Sequence, residues 1–178
     1  MSPDQRPQLE GVEIRALAEG DIDDVIDLFH QPGCVRGTLQ SPYRSPLDIR
    51  EQMLKVDAQR HTLVAVVRDQ GRDRVVGMIG LHRHPRPRRS HSASLGMQVH
   101  DDFQGRGIGT RLMEAALDLA VNWLHIERIE LGVFVDNEPA IRLYEKLGFQ
   151  REGVYRKYAW RDGEYVDTIA MAWLRDDG

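Results

Sequence analysis

Gln104-Gly105-Arg106-Gly107-Ile108-Gly109-Thr110 is the stretch on which the reading of this chain turns. Before it, Ser92 to His100 suits a strand. After it, Ile108, Leu112, Ala116, Leu119 and Trp123 recur at helical spacing, with Arg111, Glu114, Asp118 and Asn122 on the outer faces. A helix start carries unpaired N–H groups and a partial positive charge, and glycine lets an anion approach the backbone closely. A strand that hands over to a helix through three glycines therefore suits a pyrophosphate. The dinucleotide fingerprint Gly-x-Gly-x-x-Gly does not fit, because its third position falls on Thr110 or on Leu112. A Gly-Lys-Ser/Thr phosphate loop is absent. The pattern that remains is Gln/Arg-x-x-Gly-x-Gly, met by Gln104, Gly107 and Gly109.

Working outward, Val12 to Arg15 reads as a short opening strand. A helix capped by Asp21 follows, with Ile22, Val25, Ile26 and Phe29 inward, and Pro32-Gly33 ends it. Leu47 to Ala58 reads as a second helix with Ile49, Met53 and Val56 inward. Leu63–Val67 and Val75–Leu81 flank the turn at Gln70-Gly71, and Pro85 and Pro87 keep Arg83–Arg89 out of any central strand. Beyond the glycine-rich helix come a strand over Arg128–Val135, a helix over Glu138–Leu147 stopped by Gly148, and a hairpin. Its arms are Gln150–Trp160 and Glu164–Trp173. The second arm sets Tyr165, Asp167, Ile169, Met171 and Trp173 on one face against small residues on the other. These elements predict an α/β domain over residues 11–175, one mixed sheet with helices on both faces, preceded by a flexible N-terminus over 1–10.

A second signature lies past the glycine-rich helix, in Asn137-Glu138-Pro139-Ala140-Ile141-Arg142-Leu143-Tyr144-Glu145-Lys146-Leu147-Gly148-Phe149. With Gln104–Gly109 upstream and a strand between, the chain resembles the GNAT superfamily of N-acetyltransferases over nearly its whole length. The resemblance implies a mostly antiparallel mixed sheet, splayed where the cofactor enters, and acetyl-CoA as acetyl donor to a primary amine. By position, Met97, Gln98 and Val99 would bond the pantetheine arm through their backbones. Gln104, Gly105, Arg106, Gly107, Ile108, Gly109 and Thr110 would hold the pyrophosphate. Asn137 would both cap a helix and touch the arm, and Tyr144 would be the acid that protonates the departing thiolate.

The base stays open. Ribosomal-protein acetyltransferases of the family carry a glutamate where this chain has Gly132. Glu130, on the same strand face, is a substitute catalytic residue, and His82, His91, His100 or a water chain are alternatives. The run Arg86–His91, together with Val133–Asn137 and Lys157–Asp167, resembles a bacterial GNAT enzyme that acetylates free L-amino acids such as phenylalanine and methionine. Arg86, Arg88 and Arg89 are then candidates for the substrate carboxylate, with Trp160, Tyr158 and Phe29 as an apolar wall. A polyamine or ribosomal-protein acetyltransferase is the alternative within the enzyme class. A non-catalytic acyl-CoA sensor is the alternative outside it, and Tyr144 argues against that.

Composition bounds the partners. A net charge of −4 offers no field for nucleic acid, and 41% apolar residues with no long apolar run give no membrane span. The N-terminal segment lacks the apolar core of a secretory signal, so a cytoplasmic location is expected. The single cysteine, Cys34, excludes an internal disulfide and a cysteine-rich metal site, and no metal is expected. Family habit suggests a homodimer.

Overall fold

The computed structural model describes residues 11–175. Seven strands form one sheet in the order β1-β2-β3-β4-β5-β7-β6. The strands are β1 Glu13–Ala16, β2 Arg60–Asp69, β3 Arg72–Arg83, β4 Ser92–Val99, β5 Arg128–Phe134, β6 Gln150–Arg161 and β7 Glu164–Leu174. All neighbours are antiparallel except β4 and β5. Two hairpins turn on residue pairs that both have positive φ, Gln70-Gly71 and Asp162-Gly163, a backbone that matches the twist of the flanking strands.

Helices cover both faces. Helices α1 Ile22–His30, α2 Pro32–Gly37 and α3 Pro46–Leu54 lie on one side, and α4 Ile108–Asp118 and α5 Glu138–Lys146 on the other. The larger core packs α4 and α5 on Ile79, Leu81, Ile129, Leu131, Val133, Ile169 and Met171. The smaller packs Val25, Leu28 and Phe29 of α1 with Ile49 on Val64, Val66, Val75 and Met78. Ile169, Met171 and Trp173 on the large-residue face of β7 are thus spent on the sheet's own core, while Tyr165 stays 57% exposed.

Four local expectations are corrected. Asp21 is not the side-chain cap of α1: its backbone is helical, and its carboxylate accepts from both Arg15 nitrogens and from Ala18 N–H. Pro32 starts α2 as well as ending α1, because a proline at the first helical turn forgoes an N–H that would be unpaired anyway. Helix α3 stops at Leu54, four residues early, and Val56 is 96% exposed. After Asp118 one wider π-turn, Leu119–Trp123, shifts the helical phase, so Ala120 is buried and Trp123 is 77% exposed.

Candidate active site

Strands β4 and β5 pair only over Ser92–Ser94 with Arg128–Glu130, and beyond these residues they part. The opening runs toward the C-terminal ends of both strands. There β4 passes through His100 and a short 3₁₀ turn, Asp101–Phe103, into Gln104–Gly107 and α4. Gly105 and Gly107 have φ of +71° and +81°, which a side chain would strain. Gly109 has another task, since a Cβ there would lie 3.2 Å from Leu143 and 3.3 Å from Met97. No backbone N–H from Gly105 to Thr110 donates to a backbone carbonyl among the described residues; the first that does is Arg111, to Gly107 at 3.2 Å. The loop therefore presents a set of unpaired donors at the positive end of an 11-residue helix.

Side chains brace this loop. Gln104 Nε2 donates to the Val99 carbonyl at 3.1 Å and to Asp101 Oδ1 at 3.2 Å. Arg106 lies 5.5 Å over the Phe103 ring. His100 Nδ1 accepts from Asp102 N–H, while its Nε2 stands 3.2 Å from Asp27 and 3.0 Å from Arg74. Buried at the root of the turn and engaged on both nitrogens, His100 is a strut rather than a base.

Helix α2 closes over the open end. Gly33 N–H donates to Asp101 Oδ2 at 2.8 Å, and a Cβ at Gly33 would collide with that carboxylate. Gly37 approaches Asn137 Nδ2, and Arg36 pairs with Asp162 in the β6–β7 turn. Arg161 pairs with Asp136. The Cys34 thiol contacts the Val99 carbonyl at 3.4 Å, and burial pushes its pKa up to about 12, which leaves it inert as a nucleophile. Because the Val99 carbonyl already accepts from Cys34 and Gln104, it is not free for a pantetheine arm. Met97 and Gln98 pair with β3 on one side and stand where β4 has parted from β5 on the other.

Asn137 caps α5 through a 3.4 Å bond from Ala140 N–H, and its amide nitrogen turns to α2. Tyr144, buried on α5, packs 5.8 Å from Phe149. Its hydroxyl makes no hydrogen bond among the described residues. Burial pushes its pKa up to about 12, so the phenol keeps its proton and can give it to a thiolate.

On the α1–α3 face of the sheet, register fixes three rows of residues on either side of the opening. His82, Ser94, Glu130 and Ala172 form the row at the paired end of β4 and β5. Gly80 and Gly96 lie next, with Gly132 and Ala170 across the opening, and Met78, Gln98, Phe134 and Thr168 form the row beyond. Gln98 Oε1 and Thr168 Oγ1 are buried without a hydrogen-bond partner. Such atoms are costly unless a ligand or water completes them. Sequence reasoning missed both side chains, although the small-residue alternation of β7 already set Thr168 on the face opposite the core.

Glu130 does not have the surroundings of a base. It accepts from Arg89 and Arg128 at 2.7 Å each, and these guanidinium groups hold its carboxyl below the usual range despite partial burial. Gly132 is explained by its neighbour: a Cβ there would lie 3.0 Å from Thr168 Cγ2. Phe29 is core beneath Arg44, and Trp160 shares the opposite face with Tyr165, so neither walls this face. Tyr158 does stand near it, stacked 5.7 Å from Tyr155, the β6 partner of Thr168. The loop with Arg86, Arg88 and Arg89 leaves the paired end, opposite the glycine loop, and lines a shallow pocket with Pro87.

Unpaired donors at a helix start, a parted pair of strands and a buried phenol make a site for acyl transfer from a coenzyme A thioester. The Acetyltransferase (GNAT) family profile matches residues 26–149, and the chain belongs to that family. It is 37% identical over 161 residues to the L-amino acid N-acetyltransferase AaaT of Escherichia coli strain K12, covering 90% of this chain and 96% of that one. The spermidine N(1)-acetyltransferase of the same strain is 26% identical over 93% of this chain and 87% of its own. The crystal structure of Vibrio cholerae spermidine N-acetyltransferase in complex with CoA and spermine superposes with a TM-score of 0.81. It is 26% identical and matches 93% of this chain and 96% of its own. The protein is an acetyl-CoA-dependent enzyme that transfers an acetyl group to an amine. Among the described residues no cluster of three His, Cys, Asp or Glu is placed to hold a metal, and no helix is long and apolar enough to cross a membrane.

Proposed function

We propose that the acceptor is the α-amine of a free L-amino acid with an apolar side chain. The observation that carries this is Arg89, whose guanidinium reaches Glu130 on the same sheet face as the unpaired oxygens of Gln98 and Thr168. Arg86 and Arg88 beside it have no ion-pair partner among the described residues. A carboxylate next to the reacting amine would find a basic rim there. The stacked Tyr155 and Tyr158 offer an apolar wall. A polyamine would want free acid instead, and Glu130 and Glu152 are both already held by Arg128. The 37% identity to an L-amino acid acetyltransferase supports the same choice.

In this reading the N–H groups from Gly105 to Thr110 hold the pyrophosphate, Met97 and Gln98 bond the arm along the parted edge of β4, and Tyr144 protonates the leaving sulfur. Phenylalanine should be acetylated about 10–100-fold more efficiently than phenylethylamine, the range given by about 1.5–3 kcal/mol for a charge-assisted pair. Comparing kcat/KM by thiol release checks this, and R88A and R89A should erase the preference. Equal efficiencies in the wild type would move the acceptor class to simple amines.

We also propose a homodimer, supported by the edge strand β6 with exposed aromatics on both its faces, Tyr155 and Tyr158 on one and Trp160 on the other. Light scattering at micromolar concentration should give twice the chain mass of 20.4 kDa. A monomer mass would end that reading.

A further inference from the structure

The acceptor face has a floor that no motif announced, and the structure sets one of the three candidate histidines, His82, beside it. Gly80 and Gly96 are direct partners across β3 and β4, and Gly132 continues their line on the far side of the opening. Nothing lies within 4 Å of where a Cβ on Gly96 would be, so this floor is open above its centre. At one end His82 folds back over it: a Cβ on Gly80 would lie 3.1 Å from His82 Nε2. At the other side stand the unpartnered Gln98 Oε1 and Thr168 Oγ1. A trough without side chains thus joins two buried acceptors at the parted strands to an imidazole nitrogen.

We propose that the trough over Gly80, Gly96 and Gly132 seats the acceptor amine against Gln98 and Thr168, and that His82 takes the amine's proton through water lying in it. This rests on the amine-acetylating reading of the site. The incoming ammonium gives one proton to His82, which passes it to solvent. The neutral nitrogen then forms the C–N bond as the C–S bond breaks. Tyr144 gives its proton to the departing thiolate, and the second nitrogen proton, released as the amide forms, returns through water to the Tyr144 phenolate.

The surroundings of His82 suit a neutral imidazole. Partial burial, then the cation of Arg60 directly opposite on β2, hold its pKa below the ordinary histidine value, with Asp57 opposing weakly. On β4 its partner Ser94 is uncharged, and Glu130 beyond it is neutralised by Arg89 and Arg128. Lys55, before β2, accepts from Arg60 through its carbonyl. A group with a lowered pKa is neutral through the physiological range and loses its function only as pH falls through that lowered value.

The test is the pH dependence of kcat/KM for the wild type and H82Q with one amino acid acceptor. The wild type should show an acid limb below about pH 6.5, the reference value of histidine. H82Q should show no plateau above that pH, its kcat/KM rising steadily with pH instead, and should lie about 10²-fold or more below the wild type at pH 7. Its deficit should shrink about tenfold per pH unit as the free amine supplies itself, a dependence that a merely structural role would not produce. Calorimetry with acetyl-CoA should give equal affinities for the two proteins. A wild type without the acid limb, which needs no variant to fold, overturns the proposal, as does H82Q with the wild-type profile. A wild type that binds acetyl-CoA yet releases no thiol with any amine overturns the amine reading as well, so the two failures are told apart.

Discussion

Replacing Tyr144 with phenylalanine should lower kcat by about 10²–10⁴, the usual contribution of a general acid, while acetyl-CoA binds as before. The substitution removes one hydroxyl and keeps the ring that packs on Phe149. Because that hydroxyl has no partner among the described residues, its loss should not lower the melting temperature. Single-turnover thiol release, calorimetry and a thermal melt separate the chemical role from a packing role. With a pKa raised to about 12, the phenol stays protonated as pH rises, so it should impose no alkaline limb below that value. Near wild-type turnover, with chemistry limiting, would reduce Tyr144 to a core residue.

The second large effect belongs to the loop. Gly107 has φ +81° at the N-cap of α4, where a β-branched side chain is a strained outlier and would project among the free N–H groups. G107V should therefore raise the Kd for acetyl-CoA by about 10²–10⁴. That is the loss of two hydrogen bonds to a charged group at about 1.5–3 kcal/mol each. An unchanged Kd by calorimetry would mean that the pyrophosphate is held elsewhere.

Much of the coenzyme half was legible because its determinants are local. Gly105 and Gly107 are required by backbone conformation, and Asn137 by the helix it caps. The hairpin turns were legible from their chemistry, at Gln70-Gly71 and Asp162-Gly163, although the strands beside the first run on to Asp69 and start at Arg72 rather than stopping at Val67 and starting at Val75. Errors came where a local pattern continued past the tertiary contact that sustains it. Val56 and Trp123 keep helical spacing, yet α3 ends after its contact with the smaller core and a π-turn shifts the phase of the other helix.

The acceptor half was far less visible. His82 reads only as one of three histidine alternatives, Gly132 only as a position without the family's glutamate, and Gly80, Gly96 and Thr168 not at all, because β3, β4, β5 and β7 are brought together from distant parts of the chain. Only the register lines up Gly80 with Gly96 and Gly132 with Ala170. The same holds for charge: Glu130 looks like a free carboxylate until the hairpin loop brings Arg89 against it, 41 residues away in sequence. By itself, then, the sequence determined the family, the sheet-and-helix class, the glycine loop and the tyrosine, all encoded within short windows by backbone preference and periodicity. Only the tertiary structure decided which groups share the proposed acceptor face, since the cost of an unpaired Thr168 oxygen or the pairing of Glu130 depends on neighbours across strands.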